Sequence, residues 1–167
     1  MVDKKVFAGL GLMFVLLFLL AIILVFGKTG EKKTDLTLYY INPTDFLLDK
    51  RIVTVKGKGN LEIALTALFK GTEDKTLENL FPKDVKYISS KVDKENDTLI
   101  IDLSSNILSI NYGLEVNYLY IMSIVHTAGD ISGYEKIKLT FDGNEVKFFN
   151  NGMYIGDALK RDYSVVK

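Results

Sequence analysis

The stretch Gly113–Gly143, GLEVNYLYIMSIVHTAGDISGYEKIKLTFDG, decides how the rest of the chain is organised. Leu114, Tyr118, Ile121, Met122 and Val125 recur at helical spacing and draw an apolar stripe along one face. Gly129 then ends the predicted helix and Asp130 to Gly133 makes a turn. Ile137, Leu139 and Phe141 alternate with Lys136, Lys138 and Thr140, the pattern of a half-buried strand. Asp142-Gly143 signals a hairpin that leads into Glu145 to Phe149. A helix, a one-sided strand and a hairpin in succession predict a small sheet with a helix across one face. Each fully buried stripe residue adds about 1.5–3 kcal/mol before chain entropy is subtracted. This stretch is scaffold and carries no visible chemistry.

Working outward, Leu36, Leu38 and Tyr40 alternate with Thr37 and Tyr39 in a first strand that Asn42-Pro43 ends. Arg51 to Lys56 makes a second strand, broken by Gly57-Lys58-Gly59. Asn60 is placed to cap a helix through Phe69 that buries Leu61, Ala64, Leu65 and Leu68, and Gly71 fits a left-handed position beyond its end. Thr76 to Pro82 is a connector. Val85, Tyr87 and Ile88–Val92 form a third strand, Asp93–Asp97 a polar hairpin tip, and Thr98–Leu103 a fourth strand. Ile155, Ala158 and Leu159 mark a last short element. The order predicts an α+β fold over residues 35–167, a small mixed sheet with two main helices packed on one face.

Ahead of it, Val6 to Phe26 carries no charge and is long enough, at about 31 Å, to cross a bilayer as a helix. Its length and the lack of a small-residue cleavage site at Val25-Phe26-Gly27-Lys28 favour an uncleaved signal anchor over a signal peptide. The organisation is then a tail over residues 1–5, a transmembrane helix over 6–26, a linker over 27–34 and one domain over 35–167. Lys4 and Lys5 on one side against Lys28, Lys32 and Lys33 on the other nearly tie in cation count. The shortness of the tail favours keeping it inside and exporting the domain, giving a single-pass protein of the cell membrane with its C-terminal domain extracytoplasmic.

Composition closes several options. The chain has no cysteine, which removes disulfides, thiolate zinc sites, cysteine nucleophiles and a lipoprotein attachment point. Of its 21 basic and 21 acidic side chains, five basic and two acidic fall in residues 1–33, so the remainder is mildly acidic. A domain of that charge without a basic stripe does not suit nucleic acid.

Each candidate for chemistry is outweighed by a structural reading. Gly57-Lys58-Gly59 offers backbone amides to a phosphate but lacks the spacing of a phosphate-binding loop, and a strand-to-helix turn is favoured. Asp93, Glu95 and Asp97 alternate like the start of a calcium loop, yet Thr98 and Ser104 stand where Gly and Glu are needed. Asn96-Asp97-Thr98 is a formal glycosylation acceptor. His126, the only histidine, falls at the rim of the apolar stripe without a positioned partner, and Ser104 and Ser105 after Asp102 have no nucleophile elbow around them. Tyr39, Tyr40, Tyr112, Tyr118 and Tyr120 fit core positions as well as exposed contact sites. The expectation is no catalytic, metal or cofactor-binding residue.

The segment Ala64-Leu65-Thr66-Ala67-Leu68-Phe69-Lys70-Gly71, followed by Leu80-Phe81-Pro82 and a strand, resembles the first half of the GerMN domain of sporulation and spore-germination proteins. Thr98–Ser104, Ile121–Thr127, Gly133-Tyr134-Glu135-Lys136-Ile137 and Phe141-Asp142-Gly143 resemble its second half, and Ala158-Leu159-Lys160-Arg161 its end. The resemblance covers most of residues 36–161. It implies an extracytoplasmic module of spore-forming Gram-positive bacteria, related in fold to ring-building modules, without a catalytic residue. Many such proteins carry a lipid-anchoring cysteine and the best-known carry two domains in tandem; this chain has an apolar span and room for one domain. The expected role is a membrane-anchored, non-catalytic module whose partners are the membrane, through Val6 to Phe26, and envelope or sporulation proteins or further copies of itself. The alternative is an extracytoplasmic enzyme or carbohydrate-binding protein acting on cell wall through its tyrosines and carboxylates. Contacts are expected through the sheet and its edges, and Asp35 to Ile41, with one acidic residue at its start and no lysine, is a poorly defended edge if it lies outermost.

Overall fold

The computed structural model describes residues 17–18, 32–150 and 152–167. The chain divides into two units, residues 1–32 and 33–167. In the first, Leu17 and Phe18 are described and are helical; the rest of the Val6–Phe26 span lies outside the described residues. Among the described residues no helix is long and apolar enough to cross a membrane.

The second unit is a mixed α+β fold with two helices and small sheets. Strands β1 (Lys33–Asn42) and β2 (Leu47–Lys56) form an antiparallel hairpin. Asn42 closes its turn, accepting the Phe46 N–H on its carbonyl at 3.0 Å and the Thr44 N–H on Oδ1 at 2.9 Å. Helix α1 (Leu61–Lys70) starts where expected, with the Asn60 side chain accepting from the Ile63 N–H at 2.8 Å, which satisfies one orphan donor of the first turn. Gly71 has the expected positive φ of 84°, but its ψ of −170° takes it out of the left-handed helical region.

Strands β3 (Tyr87–Asp93), β4 (Thr98–Leu103), β5 (Lys136–Phe141) and β8 (Leu159–Lys160) make the main sheet in the order β3-β4-β5-β8. The β4–β5 pair is parallel and the others antiparallel. Parallel neighbours need a crossover, and helix α2 (Leu114–Ser132) supplies it. A two-stranded ribbon, β6 (Phe148–Phe149) with β7 (Met153–Tyr154), completes the elements.

Three expectations about the deciding stretch change. The helix does not stop at Gly129; it runs to Ser132, and Gly133 is the left-handed cap, its N–H reaching the Gly129 carbonyl at 2.8 Å. Gly129 is instead the point where Arg161 crosses the helix, so close that a Cβ would meet Arg161 Cδ at 2.7 Å and the Tyr134 carbonyl at 3.0 Å. The apolar stripe is also broader than its spacing suggests. Leu114 is exposed, whereas Asn117 and every residue from Leu119 to Gly129 are buried, because α2 packs against β1, β5 and α1 together. A helix enclosed on all sides needs no polar face. Finally, Asp142-Gly143 does form the tight turn, with Phe141 and Asn144 exchanging backbone bonds, but Glu145 to Phe149 does not return along β5. The turn is held by β4: Asp102 Oδ1 accepts the Gly143 N–H at 2.9 Å, and Leu103 accepts the Asp142 N–H at 2.9 Å.

The edge of β1 is not free along its length: it is covered at Tyr39 and Ile41. Tyr39 donates its N–H to Thr127 Oγ1 at 3.2 Å, Ser123 Oγ donates to the Tyr39 carbonyl at 2.7 Å, and the Glu78 N–H reaches the Ile41 carbonyl at 3.0 Å. The buried hydroxyls of α2 thus take the place of a third strand beside β1.

Candidate interaction surface

With α1 and α2 on one side of the main sheet, no helix or strand among the described residues packs across its other face. Alternation on β4 and β5 sends Leu99, Ile101, Leu103, Ile137, Leu139 and Phe141 inward. Ile100, Asp102, Lys136, Lys138 and Thr140 point outward and are half-buried. Register sets these in rows across the strands: Lys91, Ile100 and Lys138 in one, Ser89, Asp102 and Thr140 in the next. Lys136 faces Lys160 on β8.

The rows line two shallow depressions. One, of about 220 Å³, has Ser89, Lys91, Ile100, Asp102 and Glu145 around it. The other, of about 520 Å³, is bordered by Lys136, Lys138, Asp157 and Lys160 and shares Ile100 and Glu145 with the first. Charges of both signs alternate here. Lys138 holds Glu145 at 2.6 Å and keeps its carboxyl below the usual range through that hydrogen bond. Asp102 is fixed by the Thr140 hydroxyl at 2.7 Å. The sheet ends in β3, an edge strand with a bulge between Tyr87 and Ser89, where Ile88 and Val92 are exposed at 46% and 41%. Shallow relief, paired charges of both signs and an open strand edge suit contact with another macromolecule.

The residues singled out in the sequence are not brought together. Gly57-Lys58-Gly59 is a strand-to-helix turn. Asp93 orders the β3–β4 turn, and its carboxyl is held low by the Asn96 side chain, which donates to it at 2.8 Å, and then by the Asn96 and Glu95 N–H groups. Ser104 sits at the end of β4, donating to Asn106 Oδ1 at 2.6 Å and accepting the Lys86 N–H at 2.8 Å. Ser105 donates its N–H to Asp142 Oδ2 at 3.1 Å. Among the described residues no group of acidic or histidine side chains is placed to hold a metal.

His126 is fully buried rather than on a rim. Its ring lies between Tyr39 and Tyr163, at 5.1 and 5.3 Å between centroids, and Nε2 donates to the Asp162 carbonyl at 2.9 Å. Burial lowers its pKa from the ordinary 6.5. No motif or spacing announces the charged group around it. Arg161 pairs with Asp130 and with Glu135, Tyr39 donates to Asp130 at 2.7 Å, and Tyr118 donates to Asp162 at 2.6 Å. Burial pushes the Tyr39 and Tyr118 hydroxyls up to about 12. This assembly ties the C-terminal segment to α2. Tyr40 and Tyr120 are core residues, and Tyr112 is exposed.

The fold is thus a small α+β domain built on a buried helix, with one bare sheet face. The chain belongs to the Germane family, described as sporulation and spore germination, whose model matches residues 37–147. A comparison with curated proteins finds no match. Among solved structures it is similar to the tandem GerMN domains of the sporulation protein GerM from Bacillus subtilis, at 22% identity and a TM-score of 0.61, covering 78% of this chain and 47% of that one. It is likewise similar to the first GerMN domain of that protein alone, at 23% identity and a TM-score of 0.57, over 77% of this chain and 98% of that one. A candidate lipoprotein from Clostridium perfringens is similar at 21% identity and a TM-score of 0.53, over 81% and 91%. The chain therefore spans about half the length of the tandem protein.

Proposed function

We propose that this chain is a membrane-anchored, extracytoplasmic and non-catalytic module that binds other envelope proteins or assembles with itself during sporulation or germination. The reading is carried by the uncovered outer face of the main sheet together with its open edge at β3. Family membership supplies the developmental setting. The charge-free run Val6 to Phe26 supplies the anchor, and likeness to a candidate lipoprotein agrees with a place at the outside of the membrane. Confinement to a surface raises the effective concentration of weakly binding partners, so a shallow face suffices.

The test is a pair of substitutions on the face, Lys91→Glu and Ile100→Glu, made in sporulating cells of the native organism. Spore formation or germination should fall and crosslinked partners should disappear, while the thermal melt of each purified variant stays close to that of the parent. Full function in both variants would remove the main sheet from the interaction.

A further inference from the structure

Strand β2 keeps most of one side open. In an antiparallel ladder the backbone groups of alternate residues point toward the partner strand and away from it. Leu48 sets the phase, since its carbonyl accepts the Lys167 N–H at 3.0 Å and it bridges Val166 on the side away from β1. Across the ladder, Ile41 and Tyr39, the register partners of Leu48 and Lys50, also turn their backbone groups outward, to Glu78, Thr127 and Ser123. By the same alternation the N–H and C=O groups of Ile52 and Thr54 point away from β1. Among the described residues no strand or bridge pairs with β2 on that side beyond Leu48, and the Ile52 side chain is 71% exposed. The β1–β2 register runs through both strands without a shift. Ile52-Val53-Thr54-Val55 is an uncharged run of β-branched residues. A regular, uncharged edge of this composition is open to a further strand. A groove of about 620 Å³ lies beside it, lined by Val55 of β2 and by Ile63 and Ala67 of α1, with Glu62 and Lys70 at its rim. Lys50 and Lys70 are exposed and enter no ion pair among the described residues, while Asp35, beside the edge, takes the Thr54 hydroxyl at 2.6 Å.

We propose that the outer edge of β2, with the α1 groove beside it, is a docking site for an extended, acidic segment of a partner protein, which adds to the hairpin as a further strand. Backbone bonds to Ile52 and Thr54 supply affinity, and side chains at alternate positions supply specificity. Val53 and Val55 are half-buried against the core on the side opposite the exposed Ile52 and Thr54. On that side the added strand presents aliphatic side chains to Val53, Val55, Ile63 and Ala67. Carboxylates on it pass Lys50 and Lys70. A second copy of this chain is a poorer occupant. Setting Ile52 opposite itself puts Asp49 opposite Val55, and setting Ile52 opposite Thr54 puts Arg51 there. Those two charges are already committed to each other, and Arg51 also to Asp74. The site shares no residue with the outer face of the main sheet, so it stands or falls apart from the function proposed above.

The experiment uses the full chain in detergent and a fluorescent, capped peptide that alternates valine with aspartate. Anisotropy should show saturable binding, and hydrogen exchange at the Ile52 and Thr54 amides should slow when the peptide is present. Replacing aspartate by lysine in the peptide should weaken binding at least about threefold. Ile52→Pro removes an outward N–H and leaves the bonds to β1 in place, so it should abolish binding. Ala67→Glu fills the groove with a charge of the peptide's own sign and should also weaken binding. Lys83→Gln, a charge change at an exposed site elsewhere, should leave it unaltered. Thermal melts check that each variant is folded, and if Ile52→Pro is not, Ala67→Glu alone decides. The absence of saturable binding overturns the proposal, and so does binding that the folded variants leave unchanged. Equal affinity for the two peptides overturns the acidic partner. Sedimentation of the parent as a dimer that Ile52→Pro or Ala67→Glu dissociates overturns it as well, since a second copy then fills the edge.

Discussion

At the residue scale, Gly71 and His126 show how different physical demands lead to sharp expectations. Gly71 has a φ of 84°, and a Cβ on it would lie 2.3 Å from Asn79 Cγ. Asn79 Nδ2 donates to the Lys70 carbonyl at 3.1 Å, capping the end of α1. Gly71→Ala therefore strains the backbone and evicts a cap at once, and a loss of at least about 1 kcal/mol is expected. Thermal melts check this, and combining it with Asn79→Ala should cost less than the sum of the two, because they share one contact. His126 sets the pH response. Its folded pKa is depressed by burial, so the stability of the neutral ring is fully present above the unfolded value of 6.5 and is lost as pH falls through 6.5 toward the lower folded value. Asp130, Glu135, Arg161, Asp162, Tyr39 and Tyr163 surround it, yet none of these has an ordinary pKa between 5 and 7. As the chain has no other histidine, the melting temperature should fall from pH 7 to pH 5, and His126→Gln should flatten that slope. An equal slope in the variant would assign the response to another group.

At the element scale, the joint between β1 and α2 is made of polar atoms that no hydrophobic pattern reveals. Thr127→Val keeps the shape but removes the oxygen that accepts the buried Tyr39 N–H. A loss of about 1–3 kcal/mol is expected for the stranded donor, together with faster hydrogen exchange at the Tyr39 amide. Stability unchanged by the substitution would mean that the amide finds another partner. This joint also marks where sequence legibility ends. β4, β5, α1 and the β3–β4 hairpin are governed by local alternation, helical spacing and caps such as Asn60, and all are visible in the sequence. The end of α2 is governed by Arg161, about thirty residues away in the chain, so Gly129 has the look of a stop while acting as a seat. The fate of Glu145 to Phe149 depends on Asp102 and Leu103 holding the preceding turn, again a distant influence. The open sheet face followed from placing both helices on one side. Which edge stays open did not, because Ser123 and Thr127 cover β1 and leave β3 exposed.

At the scale of the whole molecule, the division at Lys32 and Lys33 sets the charge-free run Val6 to Phe26 apart from the unit that folds around a core. Residues 33–167 contain the three sheets, both helices and the buried cluster from Leu36 to Ile155. Every strand in that unit finds its partner within it. A fragment of residues 32–167 should therefore be soluble and unfold in one cooperative transition, as single domains of this size do. The start matters. A fragment beginning at Asp35 loses Lys33 and Thr34, and with Thr34 the hydroxyl that holds the Gly57 carbonyl. The shorter fragment should melt below the longer one, with the Gly57–Gly59 loop exchanging its amides faster. Denaturant unfolding followed by circular dichroism and by tyrosine fluorescence checks the first point, since coincident curves indicate one transition. Separate curves, or aggregation of the 32–167 fragment, would mean that residues before Lys32 belong to the folding unit. Coincident curves with no difference between the two fragments would instead mean that the first turn of the β1–β2 ladder, with its facing lysines, contributes nothing to stability. It would place the Thr34 bond to the Gly57 carbonyl among contacts that the unfolded chain replaces with water at no cost.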